Sequence, residues 1–382
     1  MNASEKGTFL QLIKRNILGV FLALIVTILG IYGAQLIGVG LEKINLLPEG
    51  GASPISGIFV AILIGIIVRN FIGLHESFYS GIAFTLKYAL RTGIILLGLR
   101  LSLAEAFKLG AWGLPLIVIT ISSGLIITLY FTKRMNESIR LGTLIAAGTG
   151  ICGVTAIMAI SPVIKAKDDE ISYAVANITI FGLIGMLFYP YLANILFLGD
   201  PVKAGLFLGT AIHDTAQVTG AALIYNEVFN VEQVVNVATV TKLTRNLFII
   251  AVIPIISYMY YKNSNMKESN TIPKWYKFVP LFVLGFVLLS FIRTLGDFTL
   301  ESRGLAFGLL DASTWTSFHE TLSSFGSTYM LGMAMASVGL STNFKMFKSL
   351  GLKPFYIGLF AALSVGVISL LLVTFLGSFI NV

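Results

Sequence analysis

Long apolar runs alternate with short polar breaks along this chain, and their spacing predicts a bundle of membrane-crossing helices. A helix needs roughly 20 apolar residues to cross a hydrocarbon core about 30 Å thick. Eleven runs approach that length, at about 17–40, 55–72, 83–101, 111–131, 141–164, 171–198, 204–225, 233–260, 276–294, 325–343 and 354–380. No charge interrupts Leu141 to Ile164, Ile171 to Gly199, or Pro354 to the end. Segment 296–324 is different. Asp297, Glu301, Arg303, Asp311, His319 and Glu320 punctuate it, and it reads as an interfacial helix and loop. The first run follows a polar start and ends at no small-residue cleavage site, so it reads as a retained helix and not as a signal peptide.

Composition narrows the class. Of 382 residues, 56% are hydrophobic and 12% charged, against about 25% charged in a soluble domain. Mean hydropathy is +0.89. Such a composition fits a membrane solvent, in which helices satisfy their own hydrogen bonds. The expected fold class is an all-α membrane protein. The 38 glycines suit close helix packing and broken helices. A net charge of +8 does not indicate nucleic acid, because the basic residues form no stripe. The single cysteine, Cys152, excludes an internal disulfide and a multi-cysteine metal site.

Lysine and arginine also set orientation. With the N-terminus inside, fifteen of them fall in inside segments and seven in outside segments. The remaining four, Lys87, Arg91, Lys242 and Arg245, lie within apolar runs. Eleven crossings put the N-terminus in the cytoplasm and the C-terminus outside. Lys87-Tyr-Ala-Leu-Arg91 in the third run matches Lys242-Leu-Thr-Arg245 in the eighth, and the two helices run in opposite directions. That pattern suggests two inverted five-helix repeats, 55–199 and 200–382, behind an extra N-terminal helix in 1–54. Helix 5 should then correspond to helix 10. The first carries Thr149, Gly150, Cys152, Gly153 and Thr155, and the second Gly332, Ser337, Ser341 and Thr342. Glycine permits unwound backbone and hydroxyls re-satisfy it, so both are candidate broken crossover helices. Ordinary small-residue packing is the alternative.

Charge inside a membrane costs at least about 2.5–3.5 kcal/mol by insertion scales and is functional by default. Arg91 and Arg245 offer planar donor forks that fit carboxylate, sulfate or phosphate. An anion site between the repeats is the sharp reading, with Lys87 and Lys242 in support. A structural pair of Arg245 with Asp214 is the bland one. His213 and Asp214 form a candidate proton-handling pair, with Thr210, Gln217 and Thr219 nearby and Asn177 in the sixth run. A polar cluster joining two helices would look the same. Asn177 and Asn246 are lone signals, and His75 and His319 carry little information.

No phosphate-cradling loop, nucleophile elbow or zinc-spaced histidines appear, so neither an enzyme nor an ATP-driven pump is expected. No cofactor or metal is expected beyond coupling protons or sodium.

Four motifs carry a resemblance. They are Gly148-Thr-Gly-Ile-Cys-Gly-Val-Thr-Ala-Ile-Met-Ala-Ile-Ser-Pro162-Val-Ile-Lys165-Ala, Gly209-Thr-Ala-Ile-His213-Asp214-Thr-Ala-Gln217-Val, Lys242-Leu-Thr-Arg245, and Met333-Ala-Met-Ala-Ser-Val-Gly-Leu-Ser-Thr342. From about residue 55 onward the chain resembles the bacterial inner-membrane proteins labelled sulfate exporters (YeiH-like). It departs at Asp214, where some members carry glutamate. The resemblance implies a relation to the bile acid:sodium symporter and sodium/proton antiporter fold, with inverted repeats and helices 5 and 10 crossing near the midplane. The expected function is a secondary transporter of a small anion of the sulfate, sulfonate or carboxylate class. Two other classes stay open: a cation/proton antiporter using Asp214, and a membrane sensor that binds a ligand without moving it. Glycine- and aromatic-rich outer helices suit a homodimer.

Overall fold

The structure is a computed structural model. It describes residues 3–44, 53–264, 281–344 and 352–377, with backbone alone for 3–14 and 257–264. The described residues are overwhelmingly helical and contain no named strand. The helices are α1 (Ala3–Lys43), α2 (Gly57–Ile67), α3 (Tyr79–Leu97), α4 (Leu103–Arg134), α5 (Ile139–Gly150), α6 (Val154–Ile160) and α7 (Asp168–Phe197). They continue as α8 (Pro201–Ala211), α9 (Thr215–Phe229), α10 (Gln233–Leu247), α11 (Ile249–Ser264), α12 (Leu281–Arg303), α13 (Ala312–Phe325), α14 (Gly332–Ser341) and α15 (Leu352–Leu376).

Local chemistry sets many of the ends. Ser56 opens α2 by accepting the Phe59 amide at 2.9 Å, as an N-cap should. Asp200 opens α8 by accepting the amides of Val202 and Lys203, with Pro201 at the first helical position. Glu170, in the first turn of α7, accepts the Lys167 amide and the Ser138 hydroxyl and pairs with Arg140 at 3.1 Å.

Seven described helical segments are long and apolar enough to cross a membrane: Arg15–Lys43, Glu76–Arg100, Leu103–Arg134, Asp168–Phe197, Gln233–Ile256, Leu281–Arg303 and Leu352–Leu376. The other four apolar runs are not single long α-helices. Run 55–72 is α2 plus a π-helical turn at Val68–Ile72. Runs 141–164 and 204–225 are split, into α5 and α6 and into α8 and α9. Run 325–343 continues from α13 through a π-helical turn at Gly326–Leu331 into α14.

Segment 296–324 is more helical than its charges suggested. Its first part completes α12, and only 304–311 separates that helix from α13. Mutual pairing explains this. Arg293 bonds Asp297 at 2.6 Å, Asp297 accepts the Trp315 indole at 2.8 Å, and Arg293 donates to His319 Nδ1 at 2.7 Å. The charges bridge two helices and do not break them.

The chain forms two compact units. One comprises Met1–Leu103, Leu223–Asn230 and Leu284–Phe344, and the other Ala104–Ala222, Val231–Val283 and Lys345–Val382. Neither is a contiguous half of the chain. The first unit packs α1, α2, α3 and α14 around Ala23, Val26, Ala61, Ile82, Ala336 and Leu340. Backbones there approach closely: a Cβ at Gly339 would stand 2.3 Å from the Ile62 carbonyl oxygen. The second unit packs α4, α5, α6, α7, α11 and α15 around a larger aliphatic core that includes Ile121, Leu144, Ile157, Ile178, Ile253 and Ile357.

Candidate functional site

The second unit contains both helix breaks. Helix α5 stops at Gly150, the chain turns through Ile151–Gly153, and α6 starts at Val154. Gly153 has φ +72°, and a Cβ there would lie 2.7 Å from Asp214 Oδ2. Glycine meets both demands. Helix α8 stops at Ala211, Ile212 is extended, and α9 starts at Thr215.

A break leaves carbonyls at the end of one half-helix and amides at the start of the next without partners. Buried in an apolar bundle, each such group would be costly. Here α10 supplies cations for the carbonyls. Lys242 and Arg245, three residues apart, share one helix face. Arg245 donates to Thr149 O (2.6 Å) and Gly150 O (3.1 Å) at the end of α5. It also donates to Thr210 O (2.6 Å) and Ile212 O (3.4 Å) at the end of α8. Lys242 donates to Ile151 O (3.3 Å), Ile212 O (3.1 Å) and His213 O. Cations thus sit at the negative ends of both C-terminal dipoles. Asp214 serves the opposite ends. Its carboxylate accepts the Ala216 amide at 2.9 Å and also engages the amides of Gln217 and Val154, at the starts of α9 and α6.

The two signs differ in access. Arg245 is 0% exposed and Lys242 1%. Asp214 and Thr215 are partly exposed, and Thr155, one residue into α6, is exposed. His213 and Cys152 are buried beside them. The result is a cationic floor closed to solvent and an accessible ledge of one carboxylate and two threonines.

Several expectations are corrected. Arg245 does not pair with Asp214; its partners are backbone carbonyls. The second break is at Ile212–Asp214 and not in helix 10. The hydroxyls of Ser337, Ser341 and Thr342 bond carbonyls of Met333 and Val338 in their own helix, so α14 stays continuous. Thr149, Gly150, Cys152, Gly153, His213, Asp214, Lys242 and Arg245 converge, with Thr155 on the ledge. Lys87, Arg91, Gly332, Ser337, Ser341 and Thr342 belong to the other unit. Lys87 and Arg91 are exposed there, with Lys87 Nζ 5.2 Å from the Tyr88 ring centroid. Arg91 and Arg245 therefore have unlike surroundings.

Asn177 and Gln217 join helices. Asn177 donates to Pro354 O at 2.7 Å and lies against Gly358; Gln217 donates to Thr179 O at 3.1 Å and lies against Gly182. Asn246 donates to Thr215 Oγ1 at 3.1 Å and fixes the start of α9 to α10. Its signal was adjacency to Arg245. The second break also had a signal, an Asp-Thr pair of helix-start type inside an apolar run.

A family model described as "Conserved hypothetical protein 698" matches residues 18–358. The chain belongs to this family. Relatives carrying the name UPF0324 membrane protein include one from Streptococcus agalactiae, 36% identical over 318 residues, which are 83% of this chain and 89% of the relative. Another, from Fusobacterium nucleatum, is 35% identical over 329 residues, 85% of this chain and 91% of its own length. A third, from Streptococcus pneumoniae, is 33% identical over 332 residues, 86% and 93% of the two chains. These names state membrane association and no substrate. They carry neither the sulfate-exporter label nor the symporter relation expected from the motifs.

Proposed function

We propose that this family member is a secondary transporter that moves a small anion of the sulfate, sulfonate or carboxylate class by alternating access, coupled to protons through Asp214. In this proposal it lies in the bacterial inner membrane with eleven crossings and its N-terminus in the cytoplasm. Split helices, α2 with its π turn, and α14 with the π turn before it would supply the crossings beyond the seven long segments. The inverted-repeat arrangement is supported by the Lys87/Arg91 and Lys242/Arg245 match and by the resemblance of the motifs.

One observation carries the substrate class. The group at the breaks holds two cations and one carboxylate, so it retains a net positive charge in a low-dielectric setting. Such a charge attracts an anion strongly. The cations do not grip the ligand directly, because their donors hold carbonyls; they set the field. The ledge of Thr155 and Thr215, beside the first amides of α6 and α9, is where an anion would be held. Asp214 occupies that ledge as a built-in anion. Protonating it weakens its hold on the amides and makes the group one unit more positive, which ties anion entry to proton entry.

Thermal stabilisation of the purified protein tests this, since a ligand of the folded state raises the melting temperature by mass action. Sulfate, sulfite, taurine, sulfoacetate or a dicarboxylate should stabilise the wild type, more so at low pH, and Asp214→Asn should remove the pH dependence of that shift. No anion shift at any pH would end the anion reading. The accessible carboxylate favours a second reading, a cation/proton antiporter. A sodium shift lost in Asp214→Asn, with no anion shift, would establish that instead.

A further inference from the structure

The first unit holds a partly open cavity of about 470 Å³, within the size range of small-molecule sites. Its walls come from α1 between Thr27 and Glu42, the last turn of α9 and the first turns of α2 and α14, with Thr328 of the π turn. Ile31, Ala34, Val39, Ile55, Ile58 and Ala61 supply its apolar lining. Two carboxylates, Glu42 and Glu227, supply its charge, and no lysine, arginine or histidine is among its described lining residues.

Hydrogen-bond accounting gives the polar wall a sign. The Thr27 hydroxyl donates to Ala23 O at 2.7 Å, and the Ser53 hydroxyl donates to Ile55 O at 3.0 Å. Ser56 bonds Glu227 through its hydroxyl. Three wall hydroxyls therefore have their protons engaged and can offer only lone pairs to the cavity. Glu227 accepts from Ser56, the Gly57 amide and the Ile58 amide (3.2 Å). An ionised carboxylate has about four lone-pair sites, so capacity remains, and the side chain is exposed on the cavity. Gln35 can turn its amide oxygen inward. Acceptors dominate.

Acceptors and negative charge set among aliphatic side chains select a ligand with N–H donors, a positive charge and a short hydrocarbon chain. An anion is repelled. A bare metal ion is far too small and leaves the apolar lining unused. We infer that this cavity binds a small aliphatic ammonium ion, its N–H groups on Glu227 and Glu42 and its chain against Ile31, Ile58 and Ala61. The site is independent of the helix breaks and of the proposed anion path.

The test is thermal stabilisation of the full-length, detergent-purified protein by butylammonium chloride, with butanol and sodium chloride as matched controls. Butylammonium should raise the melting temperature saturably, and neither control should. Glu227→Gln should weaken the apparent affinity at least about tenfold, the fold-change for one lost charge-assisted hydrogen bond. Because Glu227 also helps to hold the start of α2, a second variant is needed: Ala34→Phe fills the cavity while keeping both carboxylates and should abolish the shift. An absent wild-type shift overturns the inference. So does a shift that survives Ala34→Phe, which places the ammonium elsewhere, or one reproduced by butanol or sodium chloride.

Discussion

Removing the Arg245 guanidinium should unfold the second unit's core before it reveals anything about transport. The side chain is 0% exposed and donates to Thr149 O, Gly150 O and Thr210 O at 2.6–3.1 Å, with a weaker fourth bond to Ile212 O. Leaving a buried acceptor unsatisfied costs about 1–3 kcal/mol. Three orphaned carbonyls thus cost about 3–9 kcal/mol. Relief of the arginine's own desolvation offsets part of this, which puts Arg245→Gln near the lower half of that range. Even about 4 kcal/mol is a large fraction of a typical stability of about 5–15 kcal/mol. Arg91→Gln is the control. Its side chain is exposed, and an exposed substitution changes stability by about 0.5 kcal/mol or less. Thermal melts of both variants in the same detergent make the comparison. At about 2–4 °C per kcal/mol, Arg245→Gln should melt on the order of 10 °C lower, or fail to be recovered, and Arg91→Gln should melt like the wild type. Arg245→Lys should fall between, because an ammonium cannot span four carbonyls as the planar fork does. An Arg245→Gln protein that melts with the wild type would refute the carbonyl-staple argument and restore Arg245 as a candidate ligand-binding group.

Other outcomes follow from the same geometry. Gly153→Ala should lower the melting temperature, since positive φ costs a non-glycine residue about 1–3 kcal/mol and the new Cβ meets Asp214 at 2.7 Å; an unchanged melt would deny the tight turn. Gly358→Ala should destabilise by about 1–3 kcal/mol through overpacking, because its Cβ would overlap the Asn177 amide, and Asn177→Ala added to it should recover part of the loss. His319 in α13, outside the long helical segments, accepts a hydrogen bond from Arg293 through Nδ1 and is therefore neutral. Burial, and then Arg293, hold its pKa below the usual 6.5. The unfolded chain then binds the proton more readily, so stability should fall as pH drops below 6.5, and His319→Gln should flatten that decline in a pH series of melts.

Periodicity and charge made much of this fold legible. The apolar runs located the long helices because a lipid solvent leaves few alternatives to the helix. Lys242-Leu-Thr-Arg245 stood out because charge there is expensive, and Gly148–Gly153 marked the first break because unwound backbone needs glycine, although close helix packing uses it too. The partners of those charges were not legible. Lys242 and Arg245 bond backbone carbonyls, and a carbonyl has no sequence signature. The second break was signalled only by the Asp214-Thr215 pair, where Asp214 looked like a coupling residue and also caps two helix starts. The hydroxyls of α14 misled for the opposite reason: serine and threonine can bond their own helix as readily as repair a broken one. Charges in 296–324 suggested a loop because their pairing across α12 and α13 is a tertiary fact.

Proton movement into proteoliposomes under an imposed anion gradient tests the transport proposal most directly. Vesicles holding a pH-sensitive dye, with the membrane potential clamped and no sodium present, would receive sulfate, taurine or a dicarboxylate. The proposal predicts that at least one anion acidifies the lumen, and that Asp214→Asn abolishes the acidification. If no anion moves protons and a sodium gradient alone does, the protein is a cation/proton antiporter and the anion assignment is contradicted.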